Sequence, residues 1–225
     1  MDNNRINADF SQRVIVETDA LPWVPSPQAG VERRMLDRVG DEVARATSLV
    51  RYAPGSEFPG HAHDLGEEFL VLDGVFADEH GDYPAGTYVR NPPGSTHAPR
   101  TPLGCVIFVK LRQMTPDETR RVVIDTNSND WQPGTAPGHS VQALFSSPDG
   151  TERVTLERLD RGAGTYPEGR NEGEEILLLE GDLSDGLGSY RSGTWIRSPA
   201  SAEKPLHSTS GALFWRKRGQ IPATG

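Results

Sequence analysis

Cysteine is almost absent from this chain, since Cys105 is the single one among 225 residues. An intrachain disulfide framework and a thiolate-rich zinc site are therefore excluded. Because Cys105 lies in the mostly apolar run 103–109, we expect a buried, inert thiol rather than a redox sensor. A lone free cysteine also fits a reducing compartment, so we expect a cytoplasmic protein.

Long apolar runs and an excess of positive charge are missing as well. No apolar segment approaches the roughly 20 residues that a membrane span needs, and the opening segment MDNNRINADF does not read as a secretion leader. The formal net charge is −9, and no stripe of lysine and arginine stands out. Because phosphate binding needs clustered cations, we expect neither a nucleic acid nor a membrane as a partner.

The sequence also lacks a sustained apolar period of 3.6 residues. One helix-start signature, Thr115-Pro116 with Glu118, is followed by the β-branched run VVID, which limits any helix to one or two turns. Short β-rich segments such as VIVET, EFLVLD and CVIFVKL fill the chain instead, separated by turns that 24 glycines and 18 prolines supply. The pattern predicts an all-β fold of antiparallel barrels or sandwiches.

The chain is an internal duplication. Three segments of the first half recur in order in the second: RVIVETDALPWVP as RVVIDTNSNDWQP, FPGHAHDLGEEFLVLDG as YPEGRNEGEEILLLEG, and PAGTYVRNP as YRSGTWIRSP. Self-similarity over most of a chain indicates a repeated structural unit. We therefore predict two tandem domains, residues 1–114 and 115–225.

Three histidines and a carboxylate are concentrated in the first repeat. His61 and His63 are two residues apart, so a strand would turn both imidazoles to one face. Glu67 opens the next strand, and His97 follows 30 residues later, after a Pro-Pro-Gly bend. Imidazole and carboxylate ligands suit zinc, iron, nickel or manganese, and not calcium or magnesium. We predict one divalent transition metal with room for water or a small molecule.

Glu67 and Glu68 compete for the carboxylate position, because neighbours in a strand face opposite sides. The spacing to Gly74 favours Glu67, and Glu68 is kept as the alternate ligand. Four apolar or aromatic side chains are expected to line the pocket: Phe69, Val71, Tyr88 and Phe108.

The second repeat has lost the histidines. Its residues at the four ligand positions are Glu168, Arg170, Glu174 and Lys204. Two carboxylates and two cations can neutralise each other in a partly buried pocket, which predicts a charge network in place of a metal site. An anion-binding pocket on Arg170 and Lys204 is the alternative. His80 and His139 are expected to be solvated.

The spacing G-x5-HxH-x3-E-x6-G followed by G-x5-P-x-G-x2-H-x3 resembles the two motifs of the cupin superfamily. With the flanking PWVP, EEFLVLDG and GCVIFVK segments, the chain is similar to the ChrR-like cupin group, closely over 13–112 and less closely over 121–218. The resemblance implies two tandem cupin barrels of the double-stranded β-helix (jelly-roll) type. It also implies a metal on the quartet of three histidines and Glu67, with zinc as the leading metal, and a homodimer. Thr101 stands where cupins often have asparagine, a position that holds no ligand.

Two functions follow from the resemblance. One is a regulatory or sensing protein related to the cupin domain of ChrR-type anti-sigma factors. The other is a metal-dependent dioxygenase or isomerase acting on a small carbonyl compound such as a diketone. The namesake's anti-sigma activity resides in a separate N-terminal helical domain, and about a dozen residues precede the first motif block here, so we do not expect a sigma factor as partner. A small-molecule ligand or substrate is expected in either case.

Overall fold

The computed structural model describes residues 5–41, 43–168, 172–200, 204–219 and 221. Within these ranges the chain forms strands and turns, with one 3₁₀ helix at Thr18–Ala20 and no α-helix. The all-β prediction is confirmed. The helix-start signature forms a single turn, closed by the Glu118 N–H donating to the Thr115 carbonyl at 3.1 Å, before the β-branched run begins.

Most of the strands are short, but β8 and β18 have 12 and 11 residues. In chain order they are β1 Arg5–Ile6, β2 Val14–Glu17, β3 Val24–Pro25, β4 Val31–Val39, β5 Arg45–Tyr52, β6 Ser56–Glu57, β7 His61–Ala62, β8 Glu67–Asp78, β9 Gly81–Pro84, β10 Thr87–Asn91, β11 Thr96–His97, β12 Arg100–Thr101, β13 Cys105–Leu111, β14 Val122–Asp125, β15 Gln132–Pro133, β16 His139–Ser146, β17 Arg153–Leu159, β18 Glu174–Ser184, β19 Ser189–Arg191, β20 Thr194–Ser198 and β21 Ala212–Arg218. Most of the glycines with positive φ lie in the turns between strands, whereas Gly74 and Gly181 lie within β8 and β18.

The first compact unit holds the chain up to Ala8 and Leu21–Ser128. Its main sheet runs β1-β4-β5-β13-β8-β10-β14, and β7 pairs with β11 as a separate two-stranded sheet. The core is apolar and packs on one face of β8, through Phe69 and Val71. Cys105 is part of this core, and burial raises the pKa of its thiol to about 11, as expected for an unreactive cysteine.

The second compact unit holds Asp9–Ala20 and Asn129–Gly225. Its sheet runs β15-β16-β17-β21-β18-β20-β2, all antiparallel, and from β16 to β2 it follows the same order as the first sheet from β4 to β14. Its core is again apolar, built on Ile176, Leu178 and Phe214. Two similar β units confirm the duplication read from the sequence.

The opening strand of each repeat lies in the unit of the other repeat. β2 pairs with β20, from Val14 opposite Arg197 to Glu17 opposite Thr194. β14 pairs with β10 in the same way, from Val122 opposite Arg90 to Asp125 opposite Thr87. Each strand covers an edge that would otherwise expose unpaired backbone groups. The compact units and the sequence repeats therefore differ by one exchanged strand.

Among the described residues there is no helix with the length and apolar character that crossing a membrane would require.

Candidate metal centre

The three histidines meet because two short strands pair. His61 of β7 lies directly opposite His97 of β11, so both imidazoles leave the same face. His63, two residues after His61, turns to that face too, and its backbone is held by the N–H donating to the Ser95 carbonyl at 3.0 Å. The three imidazole rings stand 4.8–4.9 Å apart, centre to centre.

The donor atoms of these side chains converge on one point. One ligand atom from each of His61, His63 and His97 lies within 4.8 Å of the others, so the three could hold a metal ion. Glu67 joins them, because its Oε2 lies 3.5 Å from the Nε2 atoms of both His63 and His97. We call His61, His63, His97 and Glu67 the donor set.

Two hydrogen bonds fix the tautomers of His61 and His97. The Nδ1 atom of His61 is 3.2 Å from the Pro59 carbonyl, and that of His97 is 3.3 Å from Asp78 Oδ2. Both partners only accept hydrogen bonds, so Nδ1 carries the proton in each neutral ring. The lone pairs of Nε2 then point into the centre of the set, which is the arrangement a metal requires.

Burial keeps the imidazoles of His63 and His97 neutral. It lowers the pKa of His63 to about 4, helped by the nearby charge of His61. It also lowers the pKa of His97, although Glu67 opposes that shift. Burial raises the pKa of Glu67 against the opposing effects of His97 and of a hydrogen bond from Asn91. Neutral imidazoles beside a desolvated carboxylate form a donor set that a dication would stabilise.

Glu68 has a different role from Glu67. Its two oxygens accept hydrogen bonds from the Tyr88 hydroxyl at 2.8 Å and from Arg90 Nη1 at 3.0 Å. Arg90 also binds Glu118 with two parallel bonds of 3.0 and 2.9 Å. Glu68 is thus part of a buried ion-pair network on the face of β8 opposite the donor set, and the structure does not bring it to the histidines.

The register of β8 also separates the four side chains expected to line the pocket. Phe69 and Val71 share the face of Glu67 and belong to the apolar core. Tyr88 and Phe108 lie opposite Leu70, on the face of Glu68. The expectation for Tyr88 and Phe108 was therefore wrong, because directly paired residues of neighbouring strands share a face.

Aromatic residues that sequence reasoning missed form one wall of the site. The Phe76 ring lies 5.8 Å from the His97 ring, and Tyr52 packs edge-on against Phe76 at 5.8 Å and against Phe58 at 5.2 Å. In contrast, His61 is exposed while the other three donors are buried. The donor set therefore has an apolar back and one side open to solvent.

Gly66 sets the turn that delivers Glu67. Its φ is +75°, and an added Cβ would lie 2.3 Å from Met114 Sδ and 3.1 Å from the Asn91 carbonyl oxygen. Substitution therefore has to shift either the turn or Met114, in addition to the strain of a left-handed backbone.

Gly66→Ala is expected to lower the free energy of unfolding by more than the ~1–2 kcal/mol of the backbone strain alone. It should weaken metal binding too, since Glu67 moves with the turn. Urea unfolding and a metal titration check both effects. Gly55→Ala is the matched control, because Gly55 has φ +73° and open space around it. Equal losses in the two variants would show that the contact with Met114 does not matter.

The second unit holds charged residues where the first holds donors. Glu174 occupies the Glu67 position at the start of β18, and Arg216 Nε donates to it at 2.8 Å. Glu168 lies 3.4 Å from Arg218 Nη1. Among the described residues Lys204 makes no hydrogen bond or ion pair with these groups. Arg170 lies outside the described residues.

The centre of this charge network was not recognised in the sequence. Glu157 is buried and lies 3.1 Å from His139 Nε2 and 3.5 Å from Arg216 Nη1. His139 is therefore buried and hydrogen bonded, and the expectation that it is solvated was wrong. The alternation of β17 could not reveal it, because Glu157 shares a face with Arg153 and Thr155 as well as with Leu159, and both faces of the strand hold buried residues.

A family model described as ChrR Cupin-like domain matches this chain twice, over residues 11–115 and 119–222. No curated protein matches it.

Several solved structures share the fold. A proposed dioxygenase from Nostoc punctiforme is 16% identical, with 96% of this chain and 85% of that chain covered and a TM-score of 0.77. The pirin YhhW of Escherichia coli in complex with nickel(II) is 12% identical, with 95% and 100% covered and a TM-score of 0.68. The E. coli protein Ylba is 15% identical, with 100% and 97% covered and a TM-score of 0.71. At these identities the likeness shows the fold alone, a pair of tandem barrels.

Proposed function

This chain belongs to the ChrR cupin-like domain family, and from that premise we propose that it is a metal-binding sensor or regulatory protein. In this proposal a single divalent transition metal, with zinc leading and iron, manganese or nickel as alternatives, is held by the donor set. A small molecule reaches it from the side where His61 is exposed. The second unit keeps the barrel and binds no metal.

The observation that carries the proposal is the convergence of the donors. Three imidazole nitrogens lie within 4.8 Å of one another, and a buried carboxylate oxygen stands 3.5 Å from two of them. Such a set satisfies the ligand preference of zinc and its neighbours. A metal bound there would supply Lewis acidity to a small molecule arriving from solvent.

The surroundings of the donor set favour binding over proton transfer. Glu67 accepts a hydrogen bond from Asn91 at 3.2 Å, and Asp78 accepts one from the Tyr83 hydroxyl at 2.9 Å. Both carboxylates thus already have structural partners. A carboxylate held by such partners has a fixed position, as a metal ligand or the outer partner of a ligand requires. We therefore assign Glu67 as a metal ligand, and Asp78 as the group that holds the ligand His97 in place.

Metal analysis of the protein purified without added metal tests the proposal. We expect about one equivalent of zinc per chain, because one of the two units carries the donor set. Two equivalents, or none after reconstitution with zinc, would contradict it. The same preparation should take up no oxygen above background after anaerobic loading with iron(II) and addition of a panel of diketones and flavonoids.

A dioxygenase acting on a small carbonyl compound is the second candidate. Its support is the open side at His61, which would admit a substrate as readily as a signalling molecule. A structure with the same fold is described as a proposed dioxygenase. Oxygen uptake that depends on iron(II), on one compound of the panel and on His97 would establish the dioxygenase and contradict the proposed sensor function.

A further inference from the structure

In each unit an arginine, a tyrosine and an aspartate tie the exchanged strand to the rest of that unit. In the first unit Arg121, just before β14, donates to the Tyr83 hydroxyl at 2.7 Å, and Tyr83 donates to Asp78 at 2.9 Å. In the second unit Arg13, just before β2, donates to the Tyr190 hydroxyl at 2.9 Å. We call each Arg–Tyr–Asp set a strand clamp.

The second clamp is completed by Asp185, which accepts a hydrogen bond of 2.9 Å from Tyr190. Asp185 stands 11 residues after Glu174, as Asp78 stands 11 residues after Glu67. The second unit has no histidines at the ligand positions that the structure describes, yet it keeps the clamp. Anchoring the strand therefore accounts for the clamp without a metal.

The two clamps differ in what the aspartate does with its second oxygen. Asp185 Oδ2 forms an ion pair with Arg13. Asp78 Oδ2 instead lies 3.3 Å from Nδ1 of His97, a member of the donor set. A carboxylate that accepts from the outer nitrogen of a ligand histidine fixes its tautomer and the direction of its inner nitrogen.

The arginine of the first clamp has also changed partner. Arg121 Nε donates to Asn91 Oδ1 at 3.2 Å, and Asn91 Nδ2 donates to Glu67 Oε2 at 3.2 Å. Ser198 occupies the Asn91 position of the second unit, opposite Glu174. Thus the first clamp reaches two donors along two paths, His97 through Asp78 and Glu67 through Asn91.

We propose that Asp78 and Asn91 are positioning residues of the metal centre, and that Arg121, brought in by the exchanged strand, holds Asn91 directly and Asp78 through Tyr83. This inference rests on the proposed function. It means that the metal centre of the first repeat is completed by a residue from the second repeat. Both units contain the strand clamp, and in the first unit its hydrogen bonds also orient metal ligands.

Matched variants separate positioning from anchoring. Asp78→Asn and Asp185→Asn each damage one clamp, because three donors meet Asp78 and an amide offers a single acceptor oxygen. Asp78→Asn is expected to lower zinc affinity about 10- to 100-fold, the usual cost of losing an outer partner. It should also shift the visible absorption bands of the cobalt(II)-loaded protein. Asp185→Asn should leave affinity and spectrum unchanged.

Arg121→Gln and Arg13→Gln form a second pair of variants, at an exposed residue and at a partly buried one. Arg121→Gln is expected to weaken zinc binding several-fold, less than Asp78→Asn, and Arg13→Gln not at all. Zinc affinity is measured by competition with a chelator, and melting temperature shows the loss of anchoring in all four variants. Equal zinc affinity in Asp78→Asn and Asp185→Asn overturns the inference alone. A wild-type chain that binds neither zinc nor cobalt overturns the proposed function, and this inference with it.

Discussion

Replacing His97 with alanine is expected to abolish stoichiometric metal binding. The buried Nε2 of His97 stands 3.0 Å from that of His63 and 3.5 Å from Glu67 Oε2, so it is close to both of the other buried donors. Losing a ligand should reduce zinc affinity by more than the roughly 100-fold that an outer partner can cost. Elemental analysis after dialysis against a weak chelator would show about one equivalent in the wild type and close to none in His97→Ala.

Two controls make this result specific. Lys204→Ala changes the matching position of the second repeat and should retain one equivalent of zinc. Glu68→Gln should retain the metal too, although it disturbs the buried pair with Arg90, whereas Glu67→Gln should lose it. This comparison tests the assignment of the carboxylate ligand directly. One equivalent persisting in His97→Ala, or metal lost in Glu68→Gln but kept in Glu67→Gln, would refute the assignment.

Replacing Glu157 with glutamine is expected to destabilise the protein by about 3–5 kcal/mol, because removing one partner of a buried ion pair leaves charge uncompensated in the interior. Glu157 is 1% exposed and faces Arg216, Arg218 and His139. Glutamine keeps the size of the side chain and loses its charge. Urea unfolding measures the difference, and Glu180→Gln, an exposed change on β18, should stay within about 0.5 kcal/mol of wild type.

The difference in unfolding free energy between wild type and Glu157→Gln is expected to depend on pH. Burial would raise the pKa of Glu157, but Arg216 and the hydrogen bond from His139 outweigh it and hold that pKa below the ordinary value of 4.5. A carboxyl with a depressed pKa stabilises the fold fully above its unfolded pKa, and loses that contribution as pH falls further. The gap in stability between wild type and Glu157→Gln should therefore narrow below about pH 4.5. A gap that is constant from pH 7 to pH 3 would show that the charge of Glu157 is not what stabilises the unit.

Much of the candidate site could be predicted because its determinants are local. The HxH pair needs only the alternation of a strand, and the preference for Glu67 over Glu68 needs only the spacing to Gly74. The residues of the pocket wall are harder to predict from sequence. The face on which Tyr88 and Phe108 lie depends on the register between strands that are far apart in sequence. A shift of one residue in register reverses every face, and no short-range pattern fixes it.

By itself the sequence determined an all-β chain, its duplication and the loss of the histidines in the second copy, since these follow from composition, period and spacing. Only the tertiary structure decided which barrel each opening strand completes. RVIVET and RVVIDT are nearly the same strand, so either could close either sheet edge, and their sequences do not state the choice. That choice brings Arg121 to Asn91 and Tyr83, because side chains meet through the folded backbone and not through their order along the chain.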